Sequence, residues 1–164
     1  MKKILVFLGS LGVCLFAQTG KIGYVDIKRI FDNYQKAKNI QESFKKEVMD
    51  EQKNMDKMQE DIKKMQEDYE KKKNMMKPEE QAKRESEIRR KIQEFSQKWT
   101  EVSKKLDEKG KDLENQILEE IKAVTGEYAK KNGYSIVLDS RLIFYGDNTC
   151  DISDEIIKIL NSKK

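Results

Sequence analysis

The side chains best suited to exchanging a proton with a substrate are two adjacent acidic pairs, Glu60-Asp61 and Glu119-Glu120. Paired carboxylates perform acid–base work when one is shielded from water. Here they interleave with lysines at helical spacing, which reads as a solvated charged face. Histidine is absent from all 164 residues. That removes the commonest general base, the usual nucleophilic triads and the main nitrogen ligand for metals. The thiols, Cys14 and Cys150, have no histidine to activate them and no spacing that would hold zinc, and no GxxxxGK loop is present to cradle phosphates. The sequence therefore predicts a protein that is not an enzyme and uses no cofactor or metal.

What remains is noncovalent contact, and two patterns could supply it. Six of the 7 methionines fall between positions 49 and 76: Met49, Met55, Met58, Met65, Met75 and Met76. Thioether side chains are flexible and polarizable, so they adapt to varied apolar partners. Met55, Met58, Met65 and Met76 fit a helical packing stripe, whereas Met49 and Met75 lie off it. The second pattern is charge. From Lys71 to Lys91 there are nine basic and four acidic residues, while Gln41 to Glu70 holds ten acids and six bases. Lys77, Lys83, Arg84, Arg89 and Arg90 are candidates for contact with anionic lipid headgroups, lipopolysaccharide or acidic protein loops. A solubilising surface is the alternative reading. Aromatic residues are missing among these cations, so nucleic acid is not an expected partner.

These residues must be positioned by helices, because 39% of the chain is charged and it has 8 Gly and 1 Pro. That composition matches long helices or coiled coils. Apolar residues step by three and four from Ile40 through Phe44, Val48, Met55, Met58, Ile62, Met65 and Tyr69, and again from Ile88 through Ile92, Phe95, Trp99, Val102, Leu106, Leu113 and Ile117. The two rows mirror each other about a point between Pro78 and Glu79. Folding there sets Tyr69 against Ile88, Ile62 against Phe95, Met58 against Trp99 and Met55 against Val102. The predicted object is an antiparallel helical hairpin over 35–131 with its tip near 77–80. Pro78 fits the first turn of the returning helix and disfavours helical geometry at Lys77. Gly110, inside that helix, reads either as a hinge or as simple tolerance.

The hairpin ends at Asn132-Gly133, a left-handed stop. Residues 134–139 and 142–145 then read as strands, as do residues 21–26 near the other end of the chain. Ser153 reads as the N-cap of a last helix. Residues 21–34 and 132–164 thus form a small body of about forty-five residues, marginal for burying a core alone. Strand pairing with sister chains would relieve that shortage and cover exposed edges. The fold class is α+β: a small β-strand body, an oligomeric β-barrel, bearing a long antiparallel coiled-coil hairpin. Lys2 and Lys3 precede an apolar run, Ile4 to Phe16, that reads as an export signal cut after Ala17. Val13 is bulky where lipoprotein processing at Cys14 would expect a small residue. Formal charge falls from +4 to near +2 when Lys2 and Lys3 leave. Cys150 then stands alone, either as an intersubunit or redox thiol or as a small loop side chain.

The segments KIGYVDIKRIFDNY and YSIVLDSRLIFYGDNTCDISDEIIKIL, flanking a charged hairpin, resemble the Skp (OmpH) family of periplasmic chaperones. The resemblance spans essentially the whole processed chain. It implies a homotrimer with a β-barrel body and three helical tentacles around a cavity. It also implies a periplasmic location and ATP-independent holding of unfolded outer-membrane proteins. Members are markedly basic, and this chain departs from them in being near neutral. The alternative is a coiled-coil scaffold that binds a folded partner or anionic envelope lipid.

Overall fold

A computed structural model describes residues 20–163. The expected export signal at 1–17, with Cys14, lies outside the described residues. Strand β1 (Lys21–Val25) leads into the short helix α1 (Ile27–Asn33), capped by Asp26, whose carboxylate accepts the Arg29 N–H. Helix α2 (Gln35–Lys72, 38 residues) runs out to a 3₁₀ turn at Lys73–Met75, and α3 (Pro78–Asn132, 55 residues) runs back. At 1.5 Å per residue these helices are about 57 and 83 Å long. Gly133 closes α3 at φ 76°, a left-handed geometry that suits glycine. Strand β2 (Tyr134–Asp139) and helix α4 (Ser153–Ser162) complete the chain.

β1 and β2 pair in parallel, with Ile22 opposite Ile136 and Val25 opposite Asp139. Parallel neighbours need a long crossover. Here the crossover is the entire hairpin. The core lies at its foot, where Ile30 of α1, Ile117 and Ile121 of α3, and Ile156 and Leu160 of α4 are all at most 1% exposed. α3 outlasts α2 at this end, so its final turns carry Ile121 and Val124 into the body.

Residues 142–145, expected as a strand, do not form one. Asp139 accepts the Arg141 N–H at 3.0 Å and grips the Arg141 guanidinium at 2.7–3.1 Å, which turns the chain off the sheet through a 3₁₀ turn at Ser140–Leu142. Beyond it Leu142, Phe144 and Tyr145 are exposed. Ser153 is also not the N-cap of α4: it is the first helical residue, and Asp151 accepts its N–H at 2.9 Å.

Asp151 ties the body together. Its carboxylate accepts the Ser153 hydroxyl at 2.6 Å and an Arg29 N–H at 2.8 Å, while the Ser153 oxygen accepts the Asp26 N–H at 2.8 Å. Burial pushes the Asp151 carboxyl up, but the Ser153 donors and Arg29 outweigh it and hold the group below its ordinary value of 3.8. A depressed carboxyl stabilises the fold fully above that value and loses the contribution as pH falls through the folded pKa. Denaturant midpoints measured from pH 6 down to about 2.5 should therefore drop more steeply for the wild type than for Asp151→Asn. Parallel slopes would contradict this role.

Candidate functional site

The hairpin sets two continuous apolar rows side by side, and pinned contacts fix their register. Near the foot Lys36 pairs with Glu120 at 2.8 Å, and Lys109 pairs with Glu47 one stage further out. The Phe44 ring stands over Gly110, 3.4 Å from where a side-chain carbon would be. Near the tip the Tyr69 hydroxyl donates to Glu85 at 2.6 Å. Both helices are unbroken between these points, so the mirror pairs lie at matching heights. Beyond the body each helix has only the other as a neighbour among the described residues, however, and a seam residue is covered from one side. Met55, Ile88 and Val102 are sealed at 3–7% exposure, whereas Ile92 and Trp99 remain 42% and 45% exposed.

At the tip Lys77 is extended (φ −67°, ψ 153°) and Pro78 opens α3. The Glu80 carboxylate accepts the Lys77 N–H at 3.1 Å, and the Gln81 amide donates to the carbonyls of Lys73 and Met76 at 2.7 and 3.2 Å. These bonds satisfy backbone groups that two adjoining helix ends would leave open. Arg84 pairs with Glu87 at 2.9 Å and with Asp68 at 3.7 Å, Arg89 with Glu85 at 3.4 Å, and Arg90 with Glu94 at 3.8 Å. Lys71, Lys77 and Lys83 have no ion-pair partner among the described residues. The Tyr69 hydroxyl, with help from Arg89, holds the Glu85 carboxyl below its ordinary range. The cationic patch thus divides: its arginines, with Lys72, Lys73 and Lys91, are laced to acids, whereas Lys71, Lys77 and Lys83 are not.

At the foot a groove of about 490 Å³ runs between α3 and β2, bounded by Leu118, Thr125, Gly126, Ala129 and Ile136. The two-stranded sheet leaves the far edge of β2 without a neighbouring strand among the described residues. Thr125 is 9% exposed, and its hydroxyl has no hydrogen-bond partner among the described residues. Cys150 is a partly buried free thiol.

Residues 21–160 match the family described as outer membrane protein (OmpH-like). This chain belongs to the OmpH-like family. A solved structure from Caulobacter crescentus CB15, described as a candidate OmpH-like outer membrane chaperone, superposes with a TM-score of 0.82 over 98% of this chain and 92% of that one. At 13% identity the likeness is one of fold. Among curated proteins, none matches the chain significantly.

On this OmpH-like prong the candidate methionines do not form one surface. Met55 is sealed in the seam, Met58, Met65 and Met76 are half-buried, and Met49 and Met75 stand off the seam at 50% and 80% exposure. Ile92 and Trp99 were legible only as seam residues. Spacing assigns a side chain to a stripe but does not count how many helices cover it. Gly110 likewise has a packing environment beside the hinge reading: the Phe44 ring lies over it with space for a methyl group, next to a cavity of about 270 Å³ lined by Ile40, Leu113 and Ile117. A carbon added there reaches ordinary contact distance, so Gly110→Ala should raise stability by up to ~1 kcal/mol and slow amide exchange in the adjoining turns. A loss of stability in denaturant titration would contradict that reading.

Proposed function

We propose that this protein is an ATP-independent periplasmic holdase that retains unfolded outer-membrane proteins between the prongs of a homotrimer. The observation that carries the reading is the half-covered seam: a rod tens of ångströms long displays apolar side chains that its own fold leaves partly wet. Many weak contacts on several prongs retain a nonnative chain by avidity and need no chemical fuel. Met49 and Met75 add adaptable contacts outside the seam. Gly110, beside its cavity, is the position where the prong would flex to admit clients of different size. The chaperone description of the Caulobacter crescentus structure supports the same assignment, and the export signal read from the sequence supports the compartment.

Assembly through the base is supported by the free β2 edge, the unfilled groove, the unpartnered Thr125 hydroxyl and the exposed Leu142, Phe144 and Tyr145. A second copy bringing its strand-forming residues to that edge would cover all four. Dilution of a urea-unfolded outer-membrane β-barrel into buffer should scatter light strongly alone and little with this protein present. The soluble complex should have the mass of three copies plus one client. Undiminished scattering would refute the holdase, and a monomer at micromolar concentration by sedimentation equilibrium would refute the assembly.

A specific observation favours an additional contact at the tip. The unpaired Lys71, Lys77 and Lys83 can meet anionic headgroups without first breaking an ion pair. Lys77→Glu with Lys83→Glu should weaken binding to anionic liposomes at low salt more than Arg84→Glu with Arg89→Glu. Unchanged liposome binding in the lysine pair leaves the tip a solubilising surface.

A further inference from the structure

Between two sealed layers the seam of the prong opens. Met55 and Val102 (3% and 7% exposed) close it on the side of the body, and Ile88 (7%) closes it toward the tip. Between them Met58, Ile62 and Met65 of α2 face Trp99, Phe95 and Ile92 of α3, and every one of the six retains exposure. The Phe95 and Trp99 rings lie 6.2 Å apart at a 30° tilt, which fixes the large indole beside the gap. Seam residues equally placed by spacing thus differ in cover, and Ile92 and Trp99 are the most exposed of them, ahead of Val48 nearer the foot at 36%.

The window is also the neutral part of the arm. Residues 92–100, IQEFSQKWT, contain one acid and one base, and residues 58–65 contain two of each. On α3 both charges are engaged locally, Glu94 with Lys91 at 2.9 Å and Lys98 with Glu101 at 3.5 Å; on α2 Glu60 pairs with Lys64 at 2.7 Å and Lys63 with Glu67 at 3.9 Å, which leaves Asp61 as the one charge without an ion pair among the described residues. An ionic partner would find nothing unpaired to hold along the α3 side, in contrast to the lysines of the tip. The length is informative too. Seven residues of helix span about 10 Å. Side chains on one face of an extended chain recur about every 7 Å, so the window holds two of them.

We propose that this window, with Trp99 and Ile92 as its anchors, is the prong's primary contact for a client, and that its occupant is an extended, uncharged segment of alternating apolar residues. The lipid-facing strands of an unassembled outer-membrane barrel have that pattern. The proposal rests on the holdase reading and locates its site on the returning helix instead of among the methionines of α2. Indole offers broad apolar area at low conformational cost, and Met58 opposite Trp99 and Met65 opposite Ile92 adapt to whichever side chain enters.

Trp99 is the only tryptophan in the chain, so it reports on its own site. The probe is a urea-unfolded outer-membrane β-barrel whose tryptophans have been replaced by phenylalanine, mixed with the purified protein. Trp99 emission should shift to the blue and become less accessible to acrylamide on mixing. Ile92→Ser, with helicity checked by circular dichroism, should weaken client binding by about tenfold, against less than about twofold for Gln116→Ser at an exposed position of the same helix outside the window. Client kept soluble with Trp99 emission unchanged, or with Ile92→Ser as tight as wild type, would overturn the window while leaving the holdase intact. A blue shift that appears on concentrating the protein without client would assign the window to a second prong and overturn the proposal. Failure of the wild type to keep the client soluble would remove both readings.

Discussion

Everything in this molecule depends on two helices that, beyond the body, have only each other among the described residues. In a globular core a seam residue meets neighbours on several sides, and its apolar surface disappears. In a hairpin it meets one row, so roughly half of its surface is left to water unless the side chain is small or exactly opposed. Met55 against Val102 reaches closure; Trp99 against Met58 does not. The same interaction that holds the prong together therefore leaves it with an incompletely satisfied apolar line. Structural packing and a capacity for partner contact are one property here.

That economy works only if the prong is firmly rooted. The root is a compact cluster of isoleucines and leucine from α1, the foot of α3 and α4, closed by a parallel strand pair that brings residues near 20 and near 135 together. Tyr34 stands at the joint, its phenol pushed up to about 12 by burial and then by the neighbouring Glu120 carboxylate, which is itself held ionised by Lys36. The body is nevertheless unfinished on its outer side. A two-stranded sheet with a bare edge and an adjoining apolar groove is poorly protected in water. The layer that roots the prong thus also carries the bare edge on which the proposed assembly rests.

How much of this was legible beforehand follows from what sequence patterns encode. The hairpin was readable because it is written twice: a three-four step on each arm, and a mirror relation between arms that converges on Pro78. Gly133 and strands β1 and β2 were readable from local backbone chemistry. Residues 142–145 were misread because apolar alternation records suitability for a strand and carries no information about an available edge. Ser153 was misread because its hydroxyl is engaged elsewhere, donating to Asp151 and accepting the Asp26 N–H, contacts that local sequence does not announce. The opened window was invisible for a related reason: periodicity assigns Ile88 and Ile92 to one stripe, and only the three-dimensional count of neighbours separates a sealed residue from a wet one.

The central claim is geometric, that the chain reverses at Pro78 and α2 lies along α3 throughout. Spin labels at Lys45 and Asp112 test it most directly, with labelled protein diluted into unlabelled protein so that only distances within one chain are read. The account predicts a separation of about 2 nm, the width of two packed helices with their labels. A separation near 10 nm, the length of an unreversed helix over the same residues, would contradict it.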